Sequence, residues 1–113
     1  MAAVYVSNIV INQGSDFSQV FNLADPSNES IDLSDYVFTA QMRKHAGSSV
    51  STNLNPTVVI PSSDGTVRIT LTDVQTSALK PGRYVYDILI TDNTGIKTRV
   101  VEGSAIVREG VSR

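Results

Sequence analysis

The chain has 113 residues, of which 41% are hydrophobic, and its nine basic and eleven acidic residues give a net charge of −2. This length predicts one domain, residues 1–113, around a single core. The two signs of charge are scattered along the sequence, which argues against nucleic-acid binding through a basic surface. The absence of cysteine excludes disulfides and thiolate metal sites.

The sequence shows no targeting or membrane segment. Its start, Met1-Ala2-Ala3-Val4, lacks a cationic segment followed by an apolar run, so we expect no secretory signal. No apolar run approaches the roughly 20 residues that a membrane helix needs. We therefore expect no interaction with a membrane.

The first part of the chain predicts three strands and a bend. Val4–Ile11 is apolar and β-branched, and the strand Phe17–Leu23 places Phe17, Gln19, Phe21 and Leu23 on one face. A hairpin between these two strands is possible but not required. Ile31–Asp35 predicts a bend that carries Ile31 and Leu33 into the core, and Tyr36–Arg43 alternates as a half-buried strand does.

The middle of the chain combines a polar loop with short strands. Gly47–Asn55 is small and polar, which predicts an exposed, mobile loop. Thr57–Ile60 lies between two prolines, a position typical of a sheet edge. Ser63-Asp64-Gly65 predicts a tight turn into the alternating strand Thr66–Leu71.

The last part predicts one short helix and two long strands. Thr72–Leu79 is the helical segment. A tyrosine-rich strand after Pro81-Gly82 ends at the turn Asp92–Gly95, and Ile96–Val107 is the final strand. We expect the polar tail Arg108–Arg113 either to be free or to be held only in an assembly. Together these elements predict an all-β, immunoglobulin-like β-sandwich of about seven antiparallel strands with at most one short helix.

The start of the tyrosine-rich strand matches a known structural device. Leu79, Pro81, Gly82 and Tyr84 have the spacing of the tyrosine corner, in which the tyrosine hydroxyl binds a backbone group a few residues upstream. The pattern predicts that the hydroxyl of Tyr84 clamps a crossover between strands.

No catalytic, cofactor-binding or metal-binding constellation is apparent, so we expect no enzyme. His45 is the only histidine, and no nucleophile pattern accompanies it. Asp64, Asp92 and Asn93 offer oxygen ligands at predicted loop tips, but turn chemistry accounts for them without calcium.

Two features of the tyrosine-rich strand allow more than one interpretation. Asp87 must face solvent, pair with a cation such as Arg83 or Arg99, or face a partner subunit. Tyr84 and Tyr86 lie on the same face of the strand. That face favours the core over an aromatic platform for sugars.

Three segments carry a resemblance to a family of viral proteins. They are Phe17–Leu23 leading into Ser30–Tyr36, then Asp64–Thr72, and finally Leu79–Asp92 with the closing Val101–Gly103. With them the chain resembles the N-terminal immunoglobulin-like domain of baseplate upper proteins of tailed bacteriophages and related tail and neck components. That family usually continues into a fibre or receptor-binding module. Because this sequence ends at Arg113, we expect a stand-alone structural or adaptor protein.

The resemblance implies a non-enzymatic virion protein of the tail, baseplate or neck. Its expected partners are other virion proteins and copies of itself, with no small-molecule substrate, and its expected location is the virion, assembled in the cytoplasm of the host bacterium. A capsid decoration or cement protein is one alternative, and a receptor- or glycan-binding module is another. The residues expected at the interface are Val4, Tyr5, Val6, Arg108, Val111 and Arg113.

Overall fold

The computed structural model describes residues 5–23, 36–59 and 65–111. Within them lie nine strands and one helix: β1 (Tyr5–Val6), β2 (Ile9–Asn12), β3 (Phe17–Asn22), β4 (Val37–Arg43), β5 (Thr52–Asn53), β6 (Thr57–Val58), β7 (Thr66–Leu71), α1 (Asp73–Ser77), β8 (Gly82–Thr91) and β9 (Lys97–Arg108). Two parts of the predicted pattern, the bend Ile31–Asp35 and most of the turn Ser63-Asp64-Gly65, fall outside the described residues. In the described part, no helix is long and apolar enough to cross a bilayer.

The strands form two sheets that face each other across one core. Sheet A has the order β1-β9-β8-β4-β5, with β2 also paired to β9, and sheet B has the order β3-β7-β6. The predicted all-β sandwich with one short helix is confirmed. The Thr57–Ile60 strand was predicted at a sheet edge, and β6 occupies one, as do β1 and β2.

The pairing departs from the prediction in two ways. There are more strands than the predicted seven or so, because the first strand is divided and a short β5 is added. The predicted sheet was wholly antiparallel, whereas β1 and β2 run parallel to β9. The hairpin that the sequence left open is not formed, since β2 pairs with β9 in sheet A and β3 belongs to sheet B.

The core consists of the inward side chains of both sheets. Alternation along each strand, with a period of two, gives the inward set. Its buried members include Ile11, Phe21, Met42, Ile69, Ile88, Val101 and Val107.

The predicted strand Val4–Ile11 is broken between β1 and β2. The carbonyl of Ser7 accepts a hydrogen bond from the Tyr86 hydroxyl at 2.5 Å. The backbone N–H of Ser104 on β9 donates to the side-chain oxygen of Asn8, Oδ1, at 3.1 Å. In a regular parallel ladder, the N–H of Ser104 would donate to the carbonyl of Ser7. Here that carbonyl accepts from the Tyr86 hydroxyl instead. The Asn8 side chain thus replaces a ladder bond that the break removes.

Gly103 accommodates this break. A Cβ atom at Gly103 would overlap the carbonyl oxygen of Ser7, so only glycine fits there. Gly103 is therefore a position of close backbone packing and not of a bulge. The bulge lies nearby, because Ile88 pairs with Val101 while the next pair skips Val100. Both Val100 and Val101 are consequently buried.

The prediction that Gly47–Asn55 is an exposed, mobile loop is wrong for its last residues. Leu54 is fully buried. Its N–H donates to the Ala40 carbonyl of sheet A at 3.0 Å, and its carbonyl accepts from Thr70 N–H of sheet B at 2.9 Å. One leucine among polar residues gives too weak a pattern to predict burial. This residue marks the point where the chain passes between the sheets.

The helix α1 is fixed to the turn between β2 and β3. Thr76 is fully buried, and its hydroxyl donates to the Ser15 carbonyl at 2.9 Å and accepts from Gly14 N–H at 3.1 Å. The helix itself begins with a capping box formed by Thr72 and Gln75. These contacts fix one end of the sandwich.

The prediction that the whole tail Arg108–Arg113 is free of the domain is also wrong. Arg108 is the last residue of β9, and its carbonyl accepts from Gln13 N–H at 2.9 Å. The Gln13 side chain then accepts from Gly110 N–H at 3.2 Å and donates to the Leu79 carbonyl at 3.0 Å. Hydrogen bonds to one glutamine hold this segment, so its low apolar content was a poor guide.

Candidate interaction surface

The tyrosine corner is the first predicted site that the structure places. The Tyr84 hydroxyl donates to the Lys80 carbonyl at 2.8 Å, in a solvent-exposed position. Leu79 packs against the core, Pro81 is exposed, and Gly82 has a φ of 145° that disfavours any side chain. This is the geometry that the spacing predicts. The corner stabilises the fold and leaves function to other surfaces.

The outer face of sheet A carries its polar and apolar residues in rows across the strands. One row consists of Gln41, Asp87, Glu102 and Val6, the next of Arg43, Val85 and Ser104, and the third of Arg83, Ile106 and Val10. Residues in a row have their side chains on the same face and close enough to interact.

One part of this outer face is an ion-pair cluster. Asp87 lies directly opposite Glu102, an arrangement that two like charges alone would destabilise. The Arg99 guanidinium lies 3.3 Å from Asp87 and 3.4 Å from Glu102. Of the two cations expected for Asp87, Arg99 is therefore the partner, while Arg83 donates to the Ser104 hydroxyl at 3.1 Å. These exposed pairs contribute little to stability, about 0–1 kcal/mol.

Another part of the outer face is apolar and reaches the sheet edge. Val6 is 76% exposed, Val10 49%, Ile106 43% and Val85 39%. Val10 and Ile106 are directly paired, and Val85 lies diagonally across from Ile106 through its partner Ser104. We call Val10, Val85 and Ile106 the apolar strip, and Val6 lies farther along the same edge, opposite Glu102. The strip places solvent-exposed aliphatic side chains next to charged ones, as in the core and rim of a protein interface.

A shallow groove of about 720 Å³ crosses this face, from His45 near β4 to Val6 on β1. Tyr86 contributes to the lining of the groove, but its side chain is buried. Its hydroxyl donates to the Ser7 carbonyl. The Nζ of Lys44 lies 4.9 Å from the centre of the Tyr84 ring. The side chain of Tyr86 lies in the core, as predicted, and the half-buried Tyr84 packs against the core.

Burial has a chemical consequence at Tyr86. Desolvation raises the pKa of its hydroxyl, because the phenolate is poorly stabilised away from water. The hydroxyl therefore stays protonated and keeps donating to the Ser7 carbonyl at any physiological pH.

Among the described residues, those considered for catalysis or metal binding do not come together. His45 is exposed. The Asp92 carboxylate accepts from Thr94 N–H at 2.9 Å and from Ile96 N–H at 3.0 Å, and its bond from the Thr94 hydroxyl is the main cause that lowers the Asp92 pKa. Asn93 is exposed beside it, and Asp64 lies outside the described residues. In the ranges that the structure describes, no three His, Asp or Glu side chains are grouped to hold a metal ion.

The predicted interface residues fall into three groups. Val6 and Val111 are strongly exposed, at 76% and 95%. Arg108 is also exposed, although its backbone belongs to β9. Val4 and Arg113 lie outside the described residues, and only the backbone of Tyr5 is described.

Sequence reasoning did not identify Val10, Val85 and Ile106 as surface residues. They lie in strands whose inward neighbours are equally apolar. A β-branched residue satisfies strand propensity on either face. Composition alone therefore did not distinguish the exposed residues from the buried ones. Strict alternation from Ile9 and Ile11 was the available signal for Val10.

No family model matches the sequence, and no curated protein matches it. Among solved structures, the chain is similar to the SrpA adhesin of Streptococcus sanguinis, with a TM-score of 0.52 and 15% identity over 96% of this chain and 57% of that one. An internalin-like protein of Listeria monocytogenes gives a TM-score of 0.46 and 12% identity, covering 95% of this chain and 28% of the other. A family 123 glycoside hydrolase of Clostridium perfringens gives 0.45 and 12%, covering 96% and 24%. The chain spans less than two thirds of each of these proteins, and the likeness describes the fold alone.

Proposed function

We propose that the chain is a non-enzymatic structural component of a phage particle, which acts in the tail, baseplate or neck through protein–protein contacts. The observation that carries the contact role is the apolar strip, which runs across the outer face of sheet A to an open edge. Exposed aliphatic side chains beside a charged rim are typical of surfaces that a protein partner covers. The virion setting rests on the resemblance of Asp64–Thr72 and Leu79–Asp92 to baseplate proteins.

The charged residues beside the strip support a contact surface more than a reactive site. Arg99 is engaged by Asp87 and Glu102, and Arg43 donates to the Gln41 side chain at 3.0 Å. Such mutually paired groups form a fixed polar rim that favours matching partners and disfavours others.

The test compares Ile106→Glu with Val20→Glu in phage particles. Ile106 lies opposite Arg83 and Val20 opposite Arg68, and their exposures are 43% and 42%. Each glutamate therefore gains a similar cross-strand arginine, but only Ile106 belongs to the apolar strip. We expect Ile106→Glu to reduce the amount of the protein in purified particles several-fold and Val20→Glu to leave it unchanged.

Quantitative mass spectrometry of the particles measures that amount, and thermal unfolding of the purified variants shows that both are folded. Absence of the unmodified chain from purified particles would refute the virion role. Equal incorporation of the two variants would refute the role of the apolar strip. Recovery of the chain on capsids that lack tails would favour a decoration protein instead.

A further inference from the structure

The open edge of sheet A offers unpaired backbone groups. Ser7 N–H and Gln13 N–H both point toward β9, where they donate to the carbonyls of Glu102 and Arg108 at 2.9 Å. Successive residues of a strand direct their backbone groups to opposite edges, so the N–H and C=O of Val10 point away from β9. In the described part of the chain, no strand pairs with this side of β2. The carbonyl of Asn12, at the end of β2, is the exception among its outward groups, since it accepts from Ser15 N–H at 3.1 Å.

This edge lacks the features that usually prevent pairing with another chain. Natural edge strands carry charges, prolines or strong twists that block an added strand. The sequence of β2 is Ile-Val-Ile-Asn, with no charge and no proline. Its outward valine, Val10, is 49% exposed. The break at Ser7 ends the regular edge on one side, which limits a partner strand to about the length of β2.

We propose that β2 pairs with β2 of a second copy, antiparallel and about a two-fold axis at Val10. This inference rests on the proposed contact role and names the partner of the same surface. Two-fold symmetry makes each strand present the same groups to its copy. At the axis, the N–H and C=O of Val10 bind the C=O and N–H of the other Val10, the arrangement of a hydrogen-bonded antiparallel pair.

The sequence of β2 is self-complementary in this register. Ile9 of one copy lies opposite Ile11 of the other, and both are inward side chains. The two Val10 side chains meet on the outer face, where they extend the apolar strip of each copy across the axis. Asn8 lies opposite Asn12, so no two like charges face each other. In this register, apolar residues lie opposite apolar residues and polar residues lie opposite polar ones. This matching favours a second copy over an unrelated strand.

A cysteine cross-link tests the register. The natural chain has no cysteine, so Val10→Cys introduces a unique thiol. The Cα atoms of a hydrogen-bonded antiparallel pair are about 5.5 Å apart, which lies within the range of about 4.4–6.8 Å that a disulfide spans. We expect mild oxidation to convert Val10→Cys into a disulfide-linked dimer, seen by non-reducing electrophoresis. Val20→Cys, on the edge strand of sheet B, should remain mainly monomeric under the same conditions.

Sedimentation measures the association without a cross-link. We expect a reversible dimer of the unmodified protein at concentrations up to about 1 mM, a range that detects even weak pairing. Val10→Glu should raise its dissociation constant by about tenfold, because two carboxylates then meet at the axis, while Val20→Glu should not change it.

A protein that stays monomeric over this range would overturn the proposal, as would equal cross-linking of the two cysteine variants. Pairing of Val10→Cys with a different virion protein in particles, without self-pairing, would assign the edge to a foreign strand and also overturn it. The first two outcomes are measured on the purified chain, so they leave the virion role to be decided separately by incorporation.

Discussion

At the scale of single residues, the contact among Gly103, Ser7 and Tyr86 decides how the first strands join the sheet. We expect Gly103→Ala to destabilise the domain by about 1–3 kcal/mol, since the new methyl group must displace a backbone carbonyl. Denaturant unfolding measures the loss. The control is Gly95→Ala, which has a φ of 90° but nothing within 4 Å of its Cβ; it should cost only about 1 kcal/mol of backbone strain. A smaller effect at Gly103 than at Gly95 would contradict the close contact.

The two tyrosines of β8 differ in what their hydroxyl groups contribute. Tyr86→Phe leaves the Ser7 carbonyl without its buried donor, for which we expect a loss of about 1–3 kcal/mol in unfolding free energy. Tyr84→Phe removes an exposed bond to Lys80, for which about 0.5–1 kcal/mol is expected, because water can replace it. Equal denaturant midpoints for the two variants would show that burial does not make the Tyr86 hydroxyl contribute more to stability than the Tyr84 hydroxyl.

Alkaline pH provides a third test at this scale. Burial raises the pKa of Tyr86 above its unfolded value of about 10, so the folded state holds the proton more tightly than the unfolded state. The resulting stability is fully present below pH 10 or so and is lost as the pH rises through the folded pKa. We expect the unfolding free energy of the natural protein to fall more steeply above that pH than that of Tyr86→Phe. Parallel curves would mean that Tyr86 does not contribute.

At the scale of elements, Leu54 joins the two sheets. We expect Leu54→Ala to cost about 2–5 kcal/mol, because it removes a fully buried side chain and leaves a cavity. Val50 lies in the same loop and is 75% exposed, so Val50→Ala should change the unfolding free energy by less than about 0.5 kcal/mol. If the two variants unfold at the same denaturant concentration, Leu54 is not an anchor.

The end of β9 should divide the tail into two parts. Removal of residues 111–113 should leave the melting temperature unchanged, whereas removal of 108–113 should lower it by several degrees. The longer deletion takes away Arg108 and Gly110, and with them two hydrogen bonds of Gln13. Equal melting temperatures after both deletions would place the whole tail outside the fold.

Elements with strong local patterns were predictable from the sequence, and those that depend on distant contacts were not. Alternation identified β4 and β7, tyrosine and β-branched residues after Pro81-Gly82 identified β8, and the spacing from Leu79 to Tyr84 identified the corner. The break after Val6 depends on Gly103, nearly one hundred positions away, and the burial of Leu54 depends on carbonyl and amide groups of two other strands. Such pairings leave little trace in local propensity. The apolar strip was missed for the same reason.

At the scale of the whole molecule, the outer faces of the two sheets differ in their charged and exposed apolar residues. Sheet A carries the groove, the ion-pair cluster around Arg99 and the apolar strip. The outer face of β3 and β7 in sheet B presents a single exposed valine, Val20, next to Arg68. A protein that acts through contacts is expected to turn sheet A toward its neighbours, with β2 at the join between copies.

The position of the chain in a cryo-EM map of the phage particle tests this account most directly. We expect density for the sandwich in the tail, baseplate or neck, with Val85 and Ile106 covered by a neighbouring protein. Density in which the outer face of sheet A is open to solvent while sheet B is buried would contradict the account, as would a particle that lacks the chain.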